Sequence, residues 1–149
     1  MVRYFDSSFI LSLLFAEDAV GSMDELWRSP ARCLASNLLL IECLIAIRRV
    51  ARLQPRSSGA ASGERWVRTR LAALDSILTD FDLKVVDRSI EEIIRSTPVL
   101  AGCRTLDAIH LATALHFKPA VEGELEVVTL DRTMRSVARK LGFTVRPHA

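Results

Sequence analysis

LEVVTLDRTMRSVARKLGFTVR, residues 125–146, decides the fold. LEVVTL at 125–130 and FTVR at 143–146 are short β-branched or aliphatic runs, and one helix-length segment lies between them. The same alternation recurs upstream, with VRYFD at 2–6, RCLAS at 32–36 and DLKVV at 82–86 as further strands. Strands separated by helices make βαβ units, so the expected architecture is α/β: a three-layer α/β/α sandwich around a small, mostly parallel sheet.

Two of the intervening segments carry local signals. Val67, Leu71, Leu74, Leu78 and Phe81 recur at steps of four and three, which predicts one amphipathic helix over 64–82. Ser89-Ile-Glu-Glu92 reads as a capping box opening another helix, which Pro98 closes. Gln54 to Gly63 (QPRSSGAASG) is the low-complexity stretch and reads as a flexible loop.

The chain has 149 residues, a length that suits one domain, 1–149, and suffices for a core without disulfides. Half the residues are hydrophobic and 26% are charged, which excludes intrinsic disorder. Cys33, Cys43 and Cys103 show no CxxC spacing and read as reduced core thiols. His110, His116 and His148 have no zinc-site spacing. The opening MVRYFDSSFILSLLFAED imitates a signal peptide, but Asp6 precedes the apolar run and no clear cleavage site follows. The greasy run Leu38 to Ile47 is too short for a membrane span, so a cytoplasmic protein without membrane association is expected.

Function is suggested by acids in apolar places. Asp6 closes the first strand ahead of Ser7-Ser8, Asp107 sits in TLDAIHLATAL, and Asp131 closes VVTLD. Each has an ordinary explanation: Asp6 and Asp131 as helix N-caps, Asp107 in the first turn of a helix capped by Thr105. Glu42 has none. It stands mid-helix among nine apolar neighbours in LLLIECLIAI, a helix that reads as buried all round, where its carboxylate needs an arginine partner or a functional role. The carboxyl ends of parallel strands share one sheet edge, where open α/β sheets bind ligands. Four carboxylates converging there repel unless a cation compensates, and oxygen-only ligands suit Mg²⁺ or Mn²⁺.

These segments resemble the PIN-domain ribonucleases, especially the VapC-type toxins of bacterial toxin–antitoxin pairs. The matching pieces are YFDSSFI, SNLLLIECLIAIRR, TLDAIHLATAL and VVTLDRTMRSVARKLGFTV, in that order, from Asp6 to Val145. The resemblance implies that Asp6, Glu42, Asp107 and Asp131 form an acidic metal-binding quartet. It also implies that Ser7 or Ser8 accompanies the first acid, with Thr129 two places before the last. Leu130 departs from the pattern, because relatives commonly carry a polar residue there. Whether Asp131 would ligate directly or through a water stays open.

The activity implied is Mg²⁺- or Mn²⁺-dependent hydrolysis of an RNA phosphodiester, with one or two ions orienting the phosphate and activating a water. Transfer RNA or ribosomal RNA is the substrate expected from the family. His110, one turn after Asp107, reads as core packing, with substrate contact as the alternative. Arginines make up 17 of the 20 basic residues, and Arg48 and Arg49 are the best-placed candidates for phosphate. Trp27 and Trp66 read as core or interface. The mean hydropathy of +0.23 suggests covered apolar surface, for which the resemblance supplies a homodimer and a VapB-type antitoxin.

Three rivals belong beside this reading. A receiver domain normally shows paired acids at its first strand and a lysine after its last central strand; here Asp6 is single and Arg132 follows VVTLD. A non-catalytic PIN-like binding module tends to lose acids, whereas all four are present. A PIN-family RNA-processing nuclease without an antitoxin is the third. The formal charge of +2 argues against nucleic acid when taken alone. With four acids offset by metal, 20 basic residues face 14 acids, a balance of +6, and binding should weaken with salt.

Overall fold

Five short strands pair in parallel in the order β3-β2-β1-β4-β5: β1 Val2–Phe5, β2 Arg32–Ser36, β3 Phe81–Lys84, β4 Leu125–Val128 and β5 Thr144–Arg146. They come from a computed structural model that describes residues 1–16, 21–53 and 60–147. Seven α-helices accompany them among those residues: α1 Ser7–Phe15, α2 Gly21–Arg28, α3 Asn37–Leu53, α4 Ala60–Leu78, α5 Arg88–Ser96, α6 Thr105–Phe117 and α7 Arg132–Lys140. All five expected strands are present and the sheet is wholly parallel. None of the described helices is long and apolar enough to cross a membrane.

The two-residue period of a strand divides the core into two layers. Tyr4, Leu34, Val127 and Val145 point to one face and pack with Ile90, Leu111, Met134 and Val137. Their chain neighbours Phe5, Ala35 and Val128 point to the other, against Phe9, Leu39, Cys43, Val67 and Leu74. Trp27 and Trp66 pack partly buried against this second layer. Cys43 is buried, Cys33 and Cys103 are half-buried, and none is in a disulfide.

The structure departs from the sequence pattern at several elements. α4 begins at Ala60, so the expected loop is helical at its end, and its stretch 54–59 lies outside the described residues. The apolar stripe of α4 stops at Leu78; Phe81 opens β3, because the chain turns at Thr79-Asp80 and the sheet edge claims the next aromatic. Asp87, rather than Ser89, caps α5: its Oδ1 accepts from the Ser89 backbone N–H and from the Ser89 hydroxyl. α3 is amphipathic rather than buried all round. Leu39, Cys43 and Ile47 face the core at four-residue spacing, while Ile41, Leu44 and Ile45 are exposed. The helix with a continuous buried run is α6, whose His110 to Ala114 are all buried between the sheet, α5 and α7. Gly142, at φ +76°, makes the left-handed turn that ends α7 and starts β5.

The strand order fixes where a ligand site belongs. From β1 the chain steps outward to β2 and β3, then returns to the far side of β1 as β4. The crevice between the carboxyl ends of β1 and β4 is therefore the topological switch point.

Candidate active site at the sheet switch point

Asp6 leaves the end of β1 and caps α1, and Asp131 follows β4 and caps α7, with Oδ1 accepting from the Met134 N–H at 2.8 Å. Two hydroxyls stitch these loops together. Ser8 Oγ donates to Asp6 Oδ1 at 2.7 Å and accepts from the Leu130 N–H at 2.9 Å. Thr129 Oγ1 donates to Asp6 Oδ2 at 2.9 Å and accepts from the Asp131 N–H at 3.1 Å. Of the adjacent serines, Ser8 is thus the one whose hydroxyl holds Asp6. Ser7 is the first residue of α1, half-buried.

Asp6 is only 4% exposed. Burial pushes its carboxyl above the ordinary range, opposed by the charge of His110 and by the Ser8, Thr129 and Phe9 donors. Replacing Thr129 by Val should push it further in the same direction, since a donor to the charged form is lost. Thr129 is fully buried, so the expected stability cost is about 1–3 kcal/mol. Urea unfolding across a pH series checks both effects; unchanged stability together with an unchanged pH profile would contradict the assignment.

The other acids approach from the helices. α6 carries Asp107 in its first turn, but Thr105 does not cap it; the cap position is Arg104, whose side chain makes no capping bond. Instead Arg104 reaches sideways. Its Nε donates to Asp107 Oδ2 at 3.1 Å and its Nη2 to Asp131 Oδ2 at 2.9 Å. These bonds, with the charges of Asp107, Asp131 and Glu42, hold the guanidinium above its usual pKa. Among the described residues Glu42 pairs with a histidine rather than an arginine. Its Oε2 lies 2.7 Å from His110 Nε2, and His110 Nδ1 lies 3.0 Å from the Tyr4 hydroxyl. Burial pushes the Tyr4 phenol well up, so it stays protonated and can donate to that nitrogen.

Arg104 is a site residue that the sequence reading does not contain, and His110, read there as core packing with substrate contact as the alternative, is buried and bonded to Glu42. Each stands three residues from Asp107, Arg104 at the cap before it and His110 one turn after it, and that spacing is the available signal for Arg104 as it is for His110. Arg48 lies elsewhere: its Nη1 is 3.6 Å from Glu64 Oε1 of α4, both side chains exposed. With Leu44, Ile45, Arg49 and Arg52 it lines an open cleft of about 430 Å³ on α3.

As placed, no three His, Cys, Asp or Glu side chains among the described residues stand together as a metal-holding group. The donor chemistry nevertheless suits a hard cation. Asp107 and Asp131 already share one positive charge, and their oxygens are the ligands that Mg²⁺ or Mn²⁺ prefers.

The PIN domain family matches residues 3–140. The chain is a PIN domain. Solved structures agree in fold. A toxin–antitoxin complex from Klebsiella pneumoniae aligns over 90% of both chains at 19% identity and a TM-score of 0.57. VapBC2 from Rickettsia felis, bound to a DNA fragment from their promoter, aligns over 98% of both chains at 9% identity and 0.66. FitAcB from Neisseria gonorrhoeae aligns over 97% of this PIN domain and 96% of that chain, at 19% identity and 0.67. Among curated proteins no sequence matches this PIN domain.

Proposed function

We propose that this PIN domain is a cytoplasmic, Mg²⁺- or Mn²⁺-dependent endoribonuclease toxin, neutralised by a cognate VapB-type antitoxin and working as a homodimer. The observation that carries the reading is that Asp107 and Asp131 share the single positive charge of Arg104, on the same sheet edge as a buried Asp6 that burial makes costly to ionise. That arrangement has the charge deficit of a cation site. Asp6, Asp107 and Asp131 are the residues that would hold the ion, with Glu42 alongside. When bound, the ion supplies Lewis-acid polarisation of a phosphodiester and lowers the pKa of water.

The chain's own contribution is positioning. Ser8 and Thr129 fix Asp6 from two directions, and Thr129 also ties the Asp131 backbone to it. His110, braced by Tyr4, holds Glu42 by one oxygen, which orients that carboxylate to accept a proton. The antitoxin reading is supported by the complexes in which the structural relatives were solved, and by apolar surface at the site. Leu106 and Leu130, neighbours of Asp107 and Asp131, are exposed, as are Ile41, Leu44 and Ile45 on α3.

Purified protein incubated with mixed cellular RNA should cleave it only when Mg²⁺ or Mn²⁺ is supplied, and Asp107→Asn should abolish cleavage. Equal cleavage by both proteins, or cleavage that survives EDTA, would overturn the reading. Sequencing the cut ends would identify whether transfer RNA or ribosomal RNA is the target.

A further inference from the structure

A cation at the N-terminal end of an α-helix works against the helix dipole, yet Arg104 holds the cap position of α6 and makes no capping bond there. Its side chain is 76% exposed, whereas the side chains of the acids it bridges, Asp107 and Asp131, are 12% and 27% exposed. The guanidinium therefore lies on the solvent side of the two carboxylates, across the approach to them. Exposed ion pairs of this kind are weak and exchange readily. A divalent ion bound to the same oxygens would displace a single positive charge with a double one. The released guanidinium, repelled by that ion and placed at a helix N-terminus, would then favour an anion that offers two oxygens to its planar fork, as a phosphate does.

We propose that Arg104 is a resident counter-ion that competes with the divalent cation for Asp107 and Asp131, and on release binds the phosphate of the incoming RNA. The proposal rests on the nuclease reading for its substrate, but the competition for metal is measurable without RNA. Mn²⁺ binding to the RNA-free protein, followed by calorimetry, should be about twofold to fivefold tighter in Arg104→Ala than in wild type. Arg104→Lys keeps the charge and should stay near wild type. Thermal melts of the metal-free variants confirm that both fold. In steady-state cleavage of a single-stranded RNA, both variants should raise KM more than they lower kcat, because neither retains the fork.

Mn²⁺ affinity that is unchanged or weaker in Arg104→Ala would overturn the proposal, and so would a KM equal to wild type. Tighter Mn²⁺ binding in Arg104→Ala without RNA cleavage by the wild type would sink the nuclease reading and the phosphate step, while confirming the competition for metal.

Discussion

Asp6→Asn should stabilise the metal-free protein and, in the same molecule, remove at least about 100-fold of its RNA cleavage. The carboxylate is almost wholly buried and burial lifts its pKa above the ordinary 3.8, so the folded state disfavours the charged form. Between the unfolded value and the raised folded value, the native protein binds more protons than the unfolded chain. The contribution of Asp6 to stability therefore falls as pH rises through that window and is a net cost at neutral pH. Asparagine keeps the shape and an acceptor oxygen without the charge. An increase of about 1–2 kcal/mol at pH 7 is expected, shrinking as the pH is lowered toward 4. Paired thermal melts at several pH values read this directly. A lower melting temperature for Asp6→Asn at pH 7 would mean that the buried charge is compensated, and that the site is not poised for a cation.

Glu126→Ala should cost about 3–5 kcal/mol, a large share of the stability of a domain this size. Glu126 sits in β4 directly across from Arg3 of β1, in register. Its Oε2 accepts from Arg3 Nε at 2.8 Å and its Oε1 from Arg146 Nε at 2.7 Å, which ties three adjacent strands through one side chain. Arg3 continues the network to the Leu26 and Ser29 carbonyls at the end of α2. Removing the acid leaves Arg3 buried without its counter-charge. Burial alone would raise the Glu126 carboxyl, but the hydrogen bonds from Arg3 and Arg146 outweigh it and hold the carboxyl below its ordinary 4.5. The stabilisation is therefore complete above the unfolded value and is lost as pH falls through the folded one. Glu126→Gln should lose part of the stability at neutral pH and show a flatter acid limb than wild type. Urea unfolding that places Glu126→Ala within 1 kcal/mol of wild type would refute the network's role.

The sheet was legible because parallel strands buried on both faces read as short aliphatic runs, and LEVV and VRYF stand out as such. What periodicity does not contain is the sideways reach of polar side chains. Glu126 interrupts LEVV without altering the strand reading, and only the register to Arg3 reveals its purpose. The four acids were visible as carboxylates out of place, and the fold sets Asp6 and Asp131 at the two strand ends that topology predicts. Arg104 does not stand out in the sequence because Thr105 resembles a better cap. A long side chain that leaves its own helix end for two acids, one of them 27 residues away, has no signature in local sequence. Of the two explanations open for Glu42, an arginine partner or a functional role, the structure supplies a histidine partner among the described residues: His110 projects from the buried stretch of α6, whereas Arg48 turns outward toward α4.

The Thr129 hydroxyl that holds Asp6 comes from 123 residues further along the chain. A ribosome making this protein has therefore released its first acid long before the loop that positions it exists. Fragments ending before β4 contain Asp6, Glu42 and even Asp107, but neither Thr129 nor Asp131. The acidic edge therefore assembles only after β4 and the loop behind it have emerged, and on the proposed reading a chain abandoned before that point carries its acids without the residues that position them.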